Sequence, residues 1–77
     1  MSANGQSKVK VAAIAANLAA LDDLLTTAAA RSAEARELAQ SGECNGAIGA
    51  IFDLSSILDD AEALYNAALA LHRTKGF

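Results

Sequence analysis

The chain is 77 residues long, enough for one small domain, and its formal net charge of −3 argues against nucleic-acid binding spread over the whole surface. Apolar residues make up 53%, yet about a quarter of the chain is alanine, and only Phe52, Tyr65 and Phe77 are aromatic. Proline is absent, which removes the strongest helix breaker, and the single cysteine, Cys44, excludes an internal disulfide.

Residues 1–7 are polar and include Asn4-Gly5, so a flexible tail is expected there, with Ser7 a candidate helix cap. A first helix is expected over residues 8–40. Its apolar positions Val11, Ile14, Leu18, Leu21, Leu25 and Ala28 alternate spacings of three and four, the seam of a helix packed against another. Ser32, Ala35 and Ala39 continue that seam, and Leu24 and Leu38 widen it. The pair Thr26-Thr27 is the expected place for any kink, and Arg31, Glu34, Arg36 and Glu37 read as a solvated face. Lys8 and Lys10 ahead of the apolar run 11–21 imitate the front of a signal peptide. Asn17, the alanine content and the unbroken periodicity favour a packed helix instead, so no targeting or membrane segment is expected and a cytoplasmic location is the expectation.

Ser41-Gly42-Glu43-Cys44-Asn45-Gly46 is the one interior cluster of helix breakers, and a turn is expected over 41–45. Gly42 suits the left-handed position after a helix end, and Ser41 or Asn45 can cap the next helix. That second helix is expected over 46–75, closed by Gly76. Ile51, Leu54, Leu58, Ala61, Leu64, Tyr65, Ala68, Leu69 and His72 share one arc of it, flanked by Ile57 and Leu71. Asp59, Glu62, Asn66 and Arg73 lie opposite.

The expected fold is therefore all-α, a long antiparallel helical hairpin. Two alanine-rich helices shelter too little apolar surface to stand alone, so the hairpin is expected to dimerise into a four-helix bundle. Its expected dimer core is Ile14, Leu18, Leu21, Leu25, Ile51, Leu54, Leu58 and Tyr65. The stretch Asp60-Ala61-Glu62-Ala63-Leu64-Tyr65, followed by Ala68-Leu69, resembles the corresponding stretch in the family of the plasmid copy-number regulator Rop. That resemblance implies a dimeric four-helix bundle with an RNA-binding face. In that family the face uses a phenylalanine with basic or amide side chains on helix one, whereas the first helix here has no aromatic residue.

Three surfaces stand out. Ile48 and Phe52 fall off the core arc near the turn, an apolar pair suited to binding a partner protein. Folding at the turn brings Lys8 and Lys10 beside His72, Arg73 and Lys75, and Lys8, Lys10, Arg73 and Lys75 form a candidate anion site. Arg73 and Lys75 suit a helix C-terminus, while lysines at a helix N-terminus oppose its dipole and call for another explanation. Asp22 and Asp23 reach the level of Asp59, Asp60 and Glu62 as an acidic belt.

Chemistry is absent from the pattern. His72 has no glutamate at the spacing of a di-metal bundle, and Cys44 and His72 belong to opposite ends, so no catalytic residue, metal or cofactor is expected. The sequence reads as a small non-enzymatic interaction protein, of the kind phages and mobile elements use to inhibit or redirect a host protein. The alternative is a Rop-like binder of RNA or an anionic ligand at the basic end.

Overall fold

A computed structural model describes residues 2–74, with side chains from Lys8 onward. Lys75, Gly76, Phe77 and the helix end expected near residue 75 lie outside the described residues, as does the Ser7 side chain. The described chain is all-helical: α1 covers Ser2–Gln40, α2 Cys44–Ala50 and α3 Leu54–Arg73. α2 and α3 form one bent arm, and both pack against α1.

α1 begins well before the expected start at residue 8. Extending an existing helix needs only one hydrogen bond per residue fixed, so the ~1 kcal/mol cost of Gly5 does not stop it. α1 runs through Thr26-Thr27 without a break. Thr26 Oγ1 donates to the Asp22 carbonyl at 2.8 Å and Thr27 Oγ1 to that of Asp23 at 3.2 Å, so both hydroxyls are satisfied within an unbroken helix.

The turn closes α1 with two paired carbonyls. The Glu43 N–H donates to the Leu38 carbonyl at 2.8 Å and the Gly42 N–H to that of Ala39 at 3.1 Å, the Schellman arrangement. It requires the positive φ of 88° found at Gly42. Neither expected cap serves: Glu43 holds the N-cap position of α2 without a side-chain bond, and the Ser41 hydroxyl turns back to the Leu38 carbonyl. A side chain at Gly42 forces a left-handed residue, so Gly42→Ala is expected to lower unfolding free energy by about 1–2 kcal/mol in a denaturant titration.

The second helix, expected to be continuous, breaks at residues 51–53. Gly46 and Gly49 weaken α2, and past it the backbone tightens into three-residue turns, with Phe52 N–H on the Gly49 carbonyl and Leu54 N–H on that of Ile51. Arg31 Nη1 reaches Asp53 Oδ2 at 2.8 Å and ties the bend to α1, so Arg31 belongs to the contact between the arms rather than to a solvated face. A Cβ added at Gly49 meets nothing within 4 Å. Gly49→Ala is accordingly expected to raise stability by up to about 1 kcal/mol, opposite in sign to Gly42→Ala in the same titration.

The register is fixed at two points. Lys10 Nζ donates to the Thr74 carbonyl at 3.3 Å, and Arg31 meets Asp53. Stepping from Lys10 to Arg31 covers as many residues as stepping back from Thr74 to Asp53, so the arms stay in step. Between those points Ile14, Asn17, Leu21, Leu24 and Ala28 of α1 are buried or half-buried at alternating spacings of three and four, as are Leu54, Ile57, Ala61, Leu64, Ala68 and Leu71 of α3. The buried positions among the described residues are all alanines: Ala28, Ala35, Ala47, Ala61 and Ala68. Small side chains let the helices approach closely, and no larger hydrophobic side chain among the described residues is buried.

The expected core therefore divides. Ile14, Leu21 and Leu54 lie on the seam within the chain, and Ile51 is half-buried at the bend. Leu18, Leu25, Leu58 and Tyr65 are exposed, each one residue past a seam position. In two helices packed antiparallel, residues one step past the seam fall on the same side. Leu18 is level with Tyr65 and Leu25 with Leu58, and Val11 and Ile51 extend the rows at opposite ends. One side of the molecule thus carries two apolar rows, edged by exposed Asp22 and Glu62, which follow the seam residues Leu21 and Ala61, while the other carries Ala13, Ala20, Thr27, Asp60 and Ala67.

Candidate functional site

The turn end offers the most exposed large apolar group among the described residues. Phe52, between α2 and α3, is 81% exposed, and Ile48, one helical turn earlier, is 61% exposed. The bend presents them: the Asp53–Arg31 pair holds one side of residues 51–53 against α1 while Phe52 points away from that helix. Exposed Cys44 opens α2 nearby.

The opposite end gathers part of the expected anion site. Lys8 and Arg73 are exposed, and Lys10, half-buried, donates to the Thr74 carbonyl just past the C-terminus of α3. Lys75 lies outside the described residues. Because α1 starts at Ser2, Lys8 and Lys10 sit beyond its first turn, and the dipole no longer opposes them. Lys10 instead complements the negative end of α3, whose last turn also carries His72 and Arg73.

Between the ends, Asp22, Asp23, Asp59, Asp60 and Glu62 are all exposed and make the acidic belt. No group of three or more His, Cys, Asp or Glu side chains capable of holding a metal occurs among the described residues. Cys44 and His72 stand at opposite ends of a molecule 61 Å long. A shallow depression lined by Ala33, Arg36, Glu37 and Gln40 runs along α1 alone, so nothing converges on it from a second element.

By length and composition, Lys8–Gln40 is apolar enough to cross a membrane, with a mean hydropathy of 1.4 in its most apolar window. Core helices of soluble proteins and signal sequences meet the same criterion. Asp22 and Asp23 fall near the middle of this stretch, where each carboxylate costs ~2.5–3.5 kcal/mol in a bilayer.

The largest feature is the apolar face itself, which sequence periodicity merges with the seam. Val11, Leu18, Leu25, Leu58 and Tyr65 are each about half or more exposed along two rows spaced by sevens. Arg31, solvated by its sequence pattern, is the other feature revealed only by the fold. No family model, curated protein or solved structure matches the chain, so the candidate surfaces stand on their own geometry.

Proposed function

We propose that the chain is a small non-enzymatic interaction protein: a helical hairpin that dimerises into a four-helix bundle and binds a partner protein through Ile48 and Phe52. The observation that carries the partner reading is the exposure of Phe52 beside Ile48 at a pinned bend. A large aromatic held in water at a fixed position is the usual anchor of a protein interface. The unpartnered apolar face supports the dimer, because a fold whose buried positions are all alanine gains little from its own core. Free, exposed Cys44 suits a reducing cytoplasm, and an inhibitor or adaptor of a host protein, of the type phages carry, fits the size and lack of assembled chemistry.

Affinity capture from bacterial lysate tests the partner reading. The wild type is expected to retain a discrete protein that survives nuclease, and Phe52→Asp to lose it while keeping full helicity by circular dichroism. Equal capture by Phe52→Asp removes the patch from the account. Material lost on nuclease treatment or moderate salt, and lost again on reversing Lys8 and Lys10 to glutamate, moves the function to the basic end and an RNA-binding role.

A further inference from the structure

We infer that the occupant of the apolar face is a second copy of this chain running antiparallel to the first, so that one dimer carries two Phe52 patches, one on each side of its middle. This rests on the dimer reading above and adds the orientation, which that reading leaves open.

The area supports a second copy. The chain exposes 5480 Å², whereas a compact monomer of its mass exposes about 4,400 Å². The excess, roughly 1,100 Å², belongs to the whole elongated rod, 61 Å by 14 Å by 11 Å, and leaves room for the ~800 Å² each partner contributes to a standard interface.

The rows also match themselves. Their levels, Val11 with His72, Leu18 with Tyr65, Leu25 with Leu58 and Ser32 with Ile51, are evenly spaced. A two-fold axis through the middle of the face, perpendicular to the helices, brings Leu18 and Tyr65 onto the partner's Leu25 and Leu58 level. It also brings Val11 onto the level of Ile51. The half-polar outer levels then cover each other, where a parallel pair stacks each on its own copy.

Charge decides between the two orientations. The open end carries Lys8, Lys10 and Arg73 beside His72. The turn end carries Glu34, Glu37, Glu43 and Asp53 against Arg31 and Arg36, a net acidic end. A parallel dimer crowds both cationic ends together, whereas an antiparallel one sets each beside an acidic end, the complementarity that fixes register at interfaces. Phe52 lies off the covered face, and the two copies of it stand about 30 Å apart along the bundle at 1.5 Å per residue. Such a dimer is bivalent for its partner.

The lone Cys44, exposed at the turn end, provides the probe. Double electron–electron resonance on the Cys44 spin-labelled protein is expected to give an inter-label distance of about 50 Å. A second label, at position 8 in Lys8→Cys/Cys44→Ser, is expected near ~40 Å and guards against a local effect of the first. Distances below ~25 Å in both proteins mean a parallel pair, which overturns the orientation and leaves the dimer reading intact. Absence of dipolar modulation in both, with the protein folded, overturns the dimer as well.

Discussion

Leu58→Lys is expected to weaken the dimer by roughly a hundredfold in Kd, and to take much of the helicity with it at low micromolar concentration. Leu58 is half-exposed on the chain alone, so a reading confined to the monomer assigns its replacement only the loss of a partial burial. In the dimer the leucine enters the bundle core twice, once from each copy. Fully burying a leucine contributes ~1.5–3 kcal/mol, and dimerisation completes about half of that for each already half-buried Leu58, so losing two removes about 2–3 kcal/mol, near two decades in Kd. The lysines then enter the level of the apolar Leu18 and Tyr65, with Glu62 one helical turn away at the edge of the face. Ala63→Lys, exposed on another side of α3, serves as control and is expected to leave Kd within about threefold of wild type. Concentration-dependent thermal melts read both. Equal behaviour of the two variants would show that the face is solvent-facing in the working protein.

Ala61→Leu carries the second large effect, at the seam within the chain. Ala61 is the most buried of the described residues and is only 5% exposed. Helices packed through alanine sit at the close end of the ~8–10 Å range of interaxial distances, and a leucine there wedges α1 and α3 apart. Overpacking of this kind costs ~1–3 kcal/mol, and at about 4–8 °C per kcal/mol in a small domain the melting temperature drops by roughly 10 °C. The Lys10–Thr74 and Arg31–Asp53 contacts lie near the two ends of the same seam, so the wedge strains both. Gain of apolar area alone predicts the opposite sign. A stabilised Ala61→Leu variant would therefore show that the helices are not in close contact there.

Much of the fold is legible in the residues, and the misses have identifiable physical causes. Absence of proline and the cluster around Gly42 announce two long helices and the turn, and the left-handed glycine appears where expected. The break at residues 51–53 is visible only as a pair of glycines, Gly46 and Gly49, whose cost is small enough for tertiary contacts to decide. One such contact is the exposed Arg31–Asp53 pair, twenty-two positions apart in sequence, which no local pattern encodes. Periodicity misplaces the seam because two stripes on α1 share Ile14, Leu21 and Ala28. Completing them with Val11, Leu18 and Leu25, or with Asn17, Leu24 and Arg31, gives the same alternation of three and four. Polarity favours the first stripe, yet the chain folds on the second. Asn17 tolerates it by donating its side-chain amide to the Ala13 carbonyl at 3.0 Å, and Arg31 by its ion pair. The more apolar stripe remains outside, and that placement is the main reason to look for a second copy. The dipole argument for the basic end changes for a related reason: with α1 beginning at Ser2, Lys8 and Lys10 lie past its first turn, where the dipole acts weakly.

Sedimentation equilibrium across low micromolar to submillimolar concentration, with circular dichroism on the same samples, tests the central claim that the apolar face takes a second copy. The expected result is a mass rising to twice the 7.8 kDa of the chain, with helicity rising in parallel. A fully helical species of 7.8 kDa at every concentration would contradict it, because the alanine seam would then suffice alone and the face would be free for other use.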